Sequence, residues 1–388
     1  MRPLKILSVI GCRPNIIKIA PLIAEMKRHA HISPFVVHTG QHYDDVMSDI
    51  FFRELHLSPP DICLNIGSGS SPHQMSMIMQ GMEEILVEMR PDLVLVVGDV
   101  NSTVASSLTA SALGFPVAHV EAGLRSFDRR MPEEVNRVVT DSISHMLFTT
   151  EESAVLNLLK EGKRPEEIFN VGNVMIDTLI MNAAAIERST ILADLCVTSG
   201  EYALVTMHRS GNVDDSSALS RICEGMERLQ RHTRLVFPLH PRTEARLQRF
   251  GCWQRLLSQP RIQVVKPLGY LAFLKLMKEA LFVLTDSGGV QEESTFLGVP
   301  CLTVRDNTER PVTITHGTNQ LVGTETNQIV EKGMEIIGGV KPCGCVPDKW
   351  DGHTSERIIS VILDNDKRVR SIGSERMREE CPYIQAIA

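Results

Sequence analysis

Residues 285–293 combine residue types that suit an anion-binding turn. They read Thr-Asp-Ser-Gly-Gly-Val-Gln-Glu-Glu and follow the apolar run 280–284, which has the pattern of a buried parallel strand. A strand, two glycines and then a helix would point backbone N–H groups and the helix dipole at a phosphate. Because carboxylates repel phosphate, a glutamate of the Glu292-Glu293 pair is better suited to hydroxyls such as a ribose diol. The stretch therefore favours a nucleoside diphosphate, with a plain strand-to-helix turn as the alternative.

Charged residues follow the strand-like runs of the N-terminal half. Arg13 and Lys18 come after the first run, where two cations suit a phosphate or diphosphate. Asp99 follows the apolar run 93–97, Glu121 follows the run 117–120, and Glu133 lies in the sequence Pro-Glu-Glu-Val-Asn-Arg. Since ligands of parallel sheets bind outside the carboxyl ends of strands, these side chains could converge on one substrate. Solvated surface charge is the alternative for the cations, and helix capping is the alternative for the carboxylates.

Histidines follow two strand-like runs of the C-terminal half. His208 comes after the run 202–206, and His240 comes after the run 234–239. A histidine at a strand end could neutralise a diphosphate or transfer protons. A buried, hydrogen-bonded histidine is the usual alternative for one such residue, but two at equivalent positions favour the functional interpretation.

Strand-like and helix-like segments alternate along most of the chain. Nearly all-apolar strands between helices are typical of parallel sheets covered on both faces. The pattern predicts an α/β protein of two doubly wound, Rossmann-like domains that face each other across a cleft. The predicted parts are an N-terminal domain with the carboxylates, 1–172, a nucleotide-binding domain, 173–365, and a C-terminal helix, 366–388, that packs back on the first domain.

Composition narrows the function classes. The formal net charge of −7 argues against a general nucleic-acid binder. No run of about 18 apolar residues indicates a membrane span, and no signal-peptide cleavage site follows the short N-terminal apolar segment, so a cytoplasmic protein is expected. Cys343-Gly344-Cys345 lacks the paired spacing of a structural zinc site, so no metal is predicted. The absence of G-x-G-x-x-G, G-x-x-x-x-G-K-[ST] and G-x-S-x-G argues against dehydrogenases, P-loop ATPases and nucleophile-elbow enzymes.

At these motifs the chain resembles the non-hydrolysing UDP-N-acetylglucosamine 2-epimerases, which have the two-domain fold of the B-type glycosyltransferases (GT-B). The likeness runs from Gly-Cys-Arg-Pro at 11–14 to the terminal helices. The shared motifs are Gly98-Asp99, 119–125 (His-Val-Glu-Ala-Gly-Leu-Arg), 132–137 (Pro-Glu-Glu-Val-Asn-Arg), 286–293 and 308–311 (Thr-Glu-Arg-Pro). The resemblance implies an isomerase that interconverts UDP-N-acetylglucosamine and UDP-N-acetylmannosamine in cell-surface polysaccharide biosynthesis. The implied mechanism is anti elimination of UDP to a bound 2-acetamidoglucal, followed by re-addition of UDP.

The resemblance also implies roles for individual residues. The residues assigned to catalysis are Asp99, Glu121, Glu133 and His208. The residues assigned to substrate binding are Arg13, Lys18, Arg137, His240, Phe273, Ser287, Gly288, Gly289, Glu293 and Arg310. Within that set, Phe273 matches an aromatic residue beside the uracil, and Glu293 matches the ribose contact. No cofactor is implied, and a homodimer is expected because family members are commonly dimers.

Departures from the family pattern leave the sugar substituents open. Cys12 and Asn15 stand where threonine and glutamate are commonest, and Arg129-Arg130 form an extra basic pair. Relatives that act on UDP-2,3-diacetamido sugar uronates share the general pattern. Either arginine could suit a carboxylate at C6 of such a sugar.

Two further functions and one regulatory feature remain open. A GT-B glycosyltransferase would need the UDP-sugar site but would not need three carboxylates. A catalytically silent UDP-sugar sensor would lack one of the three carboxylates, and all three are present. Bacterial family members have a second, allosteric substrate site near a Gln-His motif, and Gln41-His42 stands in the matching place.

Overall fold

The protein is described by a computed structural model that covers residues 2–40, 45–340 and 342–379. The chain divides into two compact units. The first unit comprises Met1–Met181 and Asp348–Ala388, and the second comprises Asn182–Pro347. The first unit is therefore assembled from two separate parts of the chain. The domain limits expected from the sequence stay a prediction.

The described part of the first unit contains a seven-stranded parallel sheet with the strand order β3-β2-β1-β4-β5-β6-β7. Its strands are β1 (Leu4–Ile10), β2 (Ile32–His38), β3 (Ile62–Cys63), β4 (Leu93–Val97), β5 (Val117–Ala122), β6 (Met146–Thr149) and β7 (Ile168–Asn170). Its α-helices are α1 (Arg13–Lys27), α2 (Asp45–Glu54), α3 (Ser71–Met89), α4 (Asn101–Ala112), α5 (Pro132–Ile143), α6 (Glu152–Lys160), α7 (Val174–Met181), α18 (Thr354–Asp364) and α19 (Asp366–Glu379). A 3-10 turn spans Pro165–Glu167.

The described part of the second unit contains a six-stranded parallel sheet with the strand order β10-β9-β8-β11-β12-β13. Its strands are β8 (Tyr202–Thr206), β9 (Arg234–Pro238), β10 (Ile262–Val265), β11 (Phe282–Thr285), β12 (Cys301–Thr303) and β13 (Asn319–Leu321). Its first helices are α8 (Ala183–Glu187), α9 (Ile191–Asp194), α10 (Ser210–Val213), α11 (Ser216–Leu229) and α12 (Pro241–Arg249). Its remaining helices are α13 (Trp253–Leu257), α14 (Tyr270–Lys278), α15 (Gly288–Leu297), α16 (Val312–Thr315) and α17 (Thr326–Ile337).

The central strands are apolar because helices cover both faces of each sheet. All residues of β4 and β11 are buried, as expected for parallel strands that have no solvent-facing side. In each sheet the strand order reverses direction between two neighbouring strands, β1 and β4 in the first unit and β8 and β11 in the second. Such a switch point is where ligands bind in open α/β sheets. The predicted fold class, two doubly wound Rossmann-like α/β domains, is confirmed.

Residues after 347 complete the first unit. Asp177 of α7 caps the N-terminus of α18, because its carboxylate accepts hydrogen bonds from the backbone N–H groups of Thr354 at 3.1 Å and Ser355 at 2.6 Å. Further along, Nη1 of Arg370 in α19 lies 3.4 Å from Oδ2 of Asp92. Capping and ion pairing thus attach the last helices to the first part of the chain.

Candidate active site

A lysine and a glutamate form a buried ion pair at the carboxyl ends of strands in the first sheet. Lys18 lies in α1, and its Nζ is 2.5 Å from Oε2 of Glu121 in β5. Only 6% of the surface of Lys18 and 1% of that of Glu121 is exposed. Two residues assigned separately from the sequence therefore lie in direct contact, where low polarity makes their charges interact strongly.

The backbone at Glu121 adopts a conformation that residues with a Cβ rarely take. Its φ is +73°, in the left-handed region, and the register between β5 and β6 shifts between Val120 and Ala122. Such a conformation costs on the order of 1–3 kcal/mol and persists only where surrounding contacts hold it. Strain of this kind is concentrated at functional sites, and here it occurs at a carboxylate predicted to be catalytic.

Asp99 also has a buried cationic partner. Its Oδ2 accepts a hydrogen bond from Nη2 of Arg137 in α5, and its backbone carbonyl accepts one from Nδ2 of Asn136 at 3.0 Å. Nη1 of the buried Arg137 lies 3.4 Å from Oε2 of Glu134. Because β4 and β5 pair directly, Asp99, which follows β4, and Glu121, near the end of β5, belong to neighbouring parts of the sheet. The structure thus brings Asp99 and Arg137 together, as it does Glu121 and Lys18.

Asn15 fixes the turn between β1 and α1. Its Oδ1 accepts hydrogen bonds from the backbone N–H groups of Gly11 at 3.1 Å and Cys12 at 3.3 Å, and its Nδ2 donates to the carbonyl of Val97 at 3.0 Å. An amide can both donate and accept, whereas the glutamate common in the family would accept only. Asn15 therefore ties the end of β1 to the end of β4. Arg13, the first residue of α1, is partly exposed in this turn.

The two glutamates at the start of α5 have different surroundings. Glu134 is buried, and its carboxylate accepts hydrogen bonds from Ser126 N at 2.9 Å, Ser126 Oγ at 3.0 Å and Phe127 N at 2.9 Å. Glu133 is partly exposed, and its side chain forms no hydrogen bond or ion pair with any residue that the structure describes. Glu134 therefore stabilises a loop, whereas the carboxylate of Glu133 has no hydrogen-bond or ion-pair partner among the described residues.

A buried ionic cluster near Glu121 was not predicted from the sequence. Asp141 of α5 accepts hydrogen bonds from Gly123 N at 3.0 Å and lies 2.7 Å from both Arg125 Nη2 and His119 Nδ1. Burial alone would raise the pKa of Asp141, but His119 and Arg125 more than offset this effect and lower it. Arg125 also forms two hydrogen bonds with Glu161, at 2.8 and 2.6 Å. His119 and Arg125 stand in a motif assigned to the family, but nothing in the sequence pairs them with Asp141.

In the second unit, Asp286 joins the ends of β8 and β11. This buried carboxylate accepts hydrogen bonds from the backbone N–H groups of His208 at 3.1 Å and Arg209 at 2.9 Å, and from Nδ2 of Asn212 at 3.2 Å. The ring Nδ1 of His208 lies 3.3 Å from Oδ1 of Asp286, and about half of the side chain is exposed. Asp286 therefore positions His208 just after the carboxyl end of β8.

The Ser-Gly-Gly turn lies at the N-terminus of α15. The helix begins at Gly288, and Ser287 is its N-cap. A Cβ built on Gly288 would lie 2.3 Å from Nη1 of Arg310, so only glycine leaves room for that guanidinium. Three residues predicted to bind the substrate, Ser287, Gly288 and Arg310, are thus close together, and Gly289 follows in the first turn.

Arg310 belongs to a buried cluster of alternating charges. Its Nε lies 2.9 Å from Oε1 of Glu292, and its Nη1 contacts Glu309. Glu309 also pairs with Arg209 at 2.9 Å and with Arg305 at 2.7 Å. Burial, together with the nearby positive charges of Arg209 and Arg310, lowers the pKa of Arg305, although Glu309 opposes this shift. Glu292, which the sequence left as half of an ambiguous acidic pair, therefore has a structural partner.

Glu293 is buried and hydrogen-bonded to a tyrosine. Tyr270 Oη donates to its Oε1 at 2.8 Å. Burial raises the pKa of Glu293 to about 8; the Tyr270 hydrogen bond opposes this rise, whereas Glu292 adds to it. Tyr270 is the first residue of α14, the helix that also carries Phe273. The sequence assigned Phe273 and Glu293 to a nucleoside but did not identify Tyr270.

Three other predicted positions complete the comparison. His240 is the N-cap of α12, and its Nδ1 accepts a hydrogen bond from Arg242 N at 3.2 Å. Gln41 and His42 lie outside the described residues.

In the part of the chain that the structure describes, no group of three or more His, Cys, Asp or Glu side chains could hold a metal ion. None of the described helices is both long enough and apolar enough to cross a membrane.

Two Rossmann-like units with ionisable side chains beside the strand ends have the architecture of α/β enzymes that bind nucleotides. The family model for UDP-N-acetylglucosamine 2-epimerase matches residues 24–363. The chain belongs to this family and is therefore an isomerase, which confirms the resemblance inferred from the motifs.

Relatives of known name and structure extend the comparison. The UDP-N-acetylglucosamine 2-epimerase of Methanocaldococcus jannaschii is 42% identical over 369 residues, which cover 92% of this chain and 99% of the relative. Its structure in complex with UDP-GlcNAc and UDP has a TM-score of 0.88 and covers 93% of this chain and 100% of that one. The UDP-2,3-diacetamido-2,3-dideoxy-D-glucuronate 2-epimerase of Pseudomonas aeruginosa is 41% identical over 338 residues, 86% of this chain and 93% of the relative.

Proposed function

We propose that the enzyme interconverts UDP-N-acetylglucosamine and UDP-N-acetylmannosamine by inversion at C2. The observation that carries the proposal is the arrangement at the edge of the first sheet. Asp99 follows β4, and Glu121 lies near the end of the neighbouring strand β5. Each is paired with a buried cation, Arg137 and Lys18 respectively. Carboxylates held by cations in a poorly solvated site suit proton transfer at carbon.

The proposed reaction begins with an anti elimination. A carboxylate of the set Asp99, Glu121 and Glu133 removes the C2 proton, and the electrons of that C–H bond form the C1–C2 double bond. The C1–O bond breaks, and its electrons leave with UDP, which yields 2-acetamidoglucal. Re-addition reverses these steps: a proton reaches C2 from the opposite face, and a phosphate oxygen of UDP bonds to C1. No atom is gained or lost overall, so no cofactor is required.

Cations and backbone N–H groups assist the departure of UDP in this proposal. Negative charge grows on the diphosphate as the C1–O bond breaks, so preorganised donors lower the barrier. His208, Arg310 and the N-terminus of α15 supply such donors. Glu293 contacts the ribose, and Phe273 lies against the uracil.

A second candidate substrate is a UDP-2,3-diacetamido sugar uronate. The relative that acts on such a sugar is 41% identical, against 42% for the M. jannaschii epimerase, so identity does not separate the two substrates. Arg130 is paired with Asp128 at 2.8 Å. The exposed Arg129 side chain has no hydrogen-bond or ion-pair partner among the described residues, and it could bind a C6 carboxylate.

Nuclear magnetic resonance in D₂O tests the reaction. With UDP-N-acetylglucosamine, we expect deuterium at C2, appearance of the manno epimer and little free UDP. The uronate substrate, tested in parallel, distinguishes the two candidates. Folded enzyme that exchanges C2 of neither sugar would refute epimerisation, and transfer of the sugar to an acceptor would favour a glycosyltransferase.

Substitution of the carboxylates tests their assignment. Asp99→Asn and Glu121→Gln should each lower turnover by a factor of 100 or more, roughly the contribution of general acid–base catalysis. Binding of UDP, measured by calorimetry, should persist. Glu166→Gln, which changes a half-exposed carboxylate of the same unit, is the matched control. Turnover that survives in both variants would remove these residues from the mechanism.

The expected homodimer and cytoplasmic location stay predictions.

A further inference from the structure

Three buried side-chain amides form a chain that links the loop after β3 to Asp99. Gln74 lies in α3, Asn101 begins α4 and Asn136 lies in α5, and at most 7% of the surface of each is exposed. Nε2 of Gln74 donates to the backbone carbonyl of Gly67 at 2.8 Å, and Nδ2 of Asn101 donates to Oε1 of Gln74 at 3.0 Å. Nδ2 of Asn136 donates to the backbone carbonyl of Asp99 at 3.0 Å and, in a long hydrogen bond of 3.5 Å, to Oδ1 of Asn101.

The two ends of this amide chain determine the orientation of each amide within it. The carbonyls of Gly67 and Asp99 can only accept, so the first and last amides must each present their NH₂ group to them. The oxygen of Gln74 then faces Asn101 and needs a donor, which leaves the oxygen of Asn101 to face the second N–H of Asn136. A carboxylate at any of the three positions would place an acceptor against an acceptor.

The loop end of the amide chain is anchored to the residues that follow β2. Gly67 N donates to the carbonyl of Gly40 at 2.8 Å, and Ile66 N donates to the carbonyl that precedes it, that of Thr39, at 3.0 Å. Gly40 and Gly67 have φ values of +72° and +76°, which favour glycine. In the sheet, β2 and β4 lie on either side of β1. The amide chain therefore connects the carboxyl ends of two strands that do not pair with each other.

The other end of the amide chain reaches Asp99 beside its ionic partner. Asn136 and Arg137 are consecutive in α5, and the first holds the backbone carbonyl of Asp99 while the second contacts its carboxylate. Helix α5 thus holds Asp99 by its main chain and by its side chain. Since the position of the main chain determines where the carboxylate lies, the amide chain contributes to the placement of that carboxylate.

We propose that Gln74, Asn101 and Asn136 are positioning residues for Asp99. The inference rests on the proposed function, in which Asp99 belongs to the carboxylates that transfer the C2 proton. A displacement of about 1 Å at a reacting group can lower a rate by a factor of about 100. Asn136 contacts Asp99, and the other two act through it, so the effect of a substitution should decrease from Asn136 to Asn101 to Gln74.

Apolar residues of similar size remove the hydrogen bonds without adding charge. With UDP-N-acetylglucosamine, kcat should fall about 100-fold in Asn136→Leu, about 10-fold in Asn101→Leu and about threefold in Gln74→Met. KM and the Kd for UDP should change by less than about twofold, because the interaction lost is one that serves the transition state.

A buried glutamine of the second unit gives the matched control. Gln230 is 6% exposed, and its Nε2 donates to Oε1 of Gln259 at 3.0 Å, so it is a buried amide bound to another amide, as Gln74 is. Gln230→Met should therefore retain kcat.

A double-mutant cycle tests the amide chain independently of catalysis. Gln74→Met removes the acceptor of Asn101 Nδ2, and Asn101→Leu removes the donor to Gln74 Oε1. A buried polar group that loses its hydrogen bond is destabilising, and the double variant removes both groups. Its urea midpoint should therefore lie above the value that the sum of the two single shifts predicts. Additive shifts would refute the coupling between the two amides.

The outcomes separate this inference from the proposed function. Unchanged kcat in Asn136→Leu and Asn101→Leu would refute the positioning role, and so would a parallel loss of kcat and UDP affinity, which indicates a general loss of structure. If Asn136→Leu does not fold, Asn101→Leu and Gln74→Met decide the question. Failure of the unmodified enzyme to exchange C2 would refute epimerisation, but the result of the double-mutant cycle would stand.

Discussion

Replacing Lys18 by methionine should destabilise the first unit far more than breaking a surface ion pair. The Nζ of Lys18 lies 2.5 Å from Oε2 of Glu121, and both side chains are almost completely removed from water. Methionine keeps the volume of the side chain but leaves the carboxylate of Glu121 without its buried counter-charge. Removing one partner of a buried ion pair costs about 3–5 kcal/mol. For a domain of this size, this corresponds to a decrease in Tm of roughly 6–20 °C.

A surface pair at the C-terminal end of the same helix gives the matched control. Nη1 of Arg28 lies 2.9 Å from Oε2 of Glu25, and 70% of the Arg28 side chain is exposed. Arg28→Met should therefore cost only about 0–1 kcal/mol. Both variants can be compared by calorimetric Tm and by hydrogen exchange of β1 and β5 amides, which reports on the first unit specifically.

A double-mutant cycle isolates the interaction itself. Glu121→Gln alone leaves Lys18 buried and unpaired, whereas the double variant Lys18→Met/Glu121→Gln contains neither charge. The double variant should therefore be more stable than the sum of the single effects predicts, by about 2 kcal/mol or more. It should also remain inactive, because both groups belong to the proposed reaction site. A cost below about 1 kcal/mol for Lys18→Met, equal to that of Arg28→Met, would refute the reasoning.

Three further predictions concern the second unit. Tyr270→Phe should weaken UDP binding about three- to tenfold, because Glu293 loses the hydrogen bond that orients it. The affinity for 2′-deoxy-UDP should fall by a smaller factor, and calorimetry with both nucleotides measures this difference. Gly288→Ala should weaken UDP binding because the new Cβ would lie 2.3 Å from Nη1 of Arg310. Gly211→Ala is the control, because a Cβ there meets nothing within 4 Å, and it should leave UDP binding unchanged. Equal affinities of the two variants for UDP would contradict the assignment of Gly288 to substrate binding. The pKa of Glu293 is about 8 in the folded protein, against an ordinary value of 4.5. Between pH 4.5 and about pH 8 the folded protein therefore binds a proton that the unfolded chain has lost, so its free energy of unfolding falls as the pH rises through this range. Urea unfolding should therefore show Glu293→Gln gaining stability relative to the unmodified protein from about pH 5 to about pH 8, and a pH-independent difference would show that Glu293 titrates normally.

The central strands could be predicted from the sequence because burial on both faces leaves a continuous apolar signal. Leu93–Val97 and Tyr202–Thr206 were predicted with the bounds that the structure has. Three of the four edge strands, Ile62–Cys63, Ile168–Asn170 and Asn319–Leu321, were not predicted. They are two or three residues long and partly exposed, so neither alternation nor an apolar run marks them.

Position relative to the strands also indicated which residues could take part in chemistry. Asp99 and Glu121 were selected because each follows an apolar run, and the structure shows that these runs belong to the neighbouring strands β4 and β5. The strand β5 continues to Ala122, so Glu121 lies within it and not after it. The partners of these carboxylates were not predictable in the same way. Contacts such as Lys18 with Glu121 join residues far apart in sequence, and only the strand order brings them together. The strained backbone at Glu121 likewise leaves no sign in the residue types.

The attachment of α18 to Asp177 has a consequence for the order in which the protein folds during synthesis. Residues 182–347 form one continuous unit and leave the ribosome before α18 does. The second unit can therefore complete its sheet while the first still lacks the helix that packs against α1 and α7. During that interval the nascent first unit presents an uncovered face of α1 and an uncapped Asp177 carboxylate. Chaperone contact with the growing chain is expected to concentrate on this face until Thr354 and Ser355 emerge.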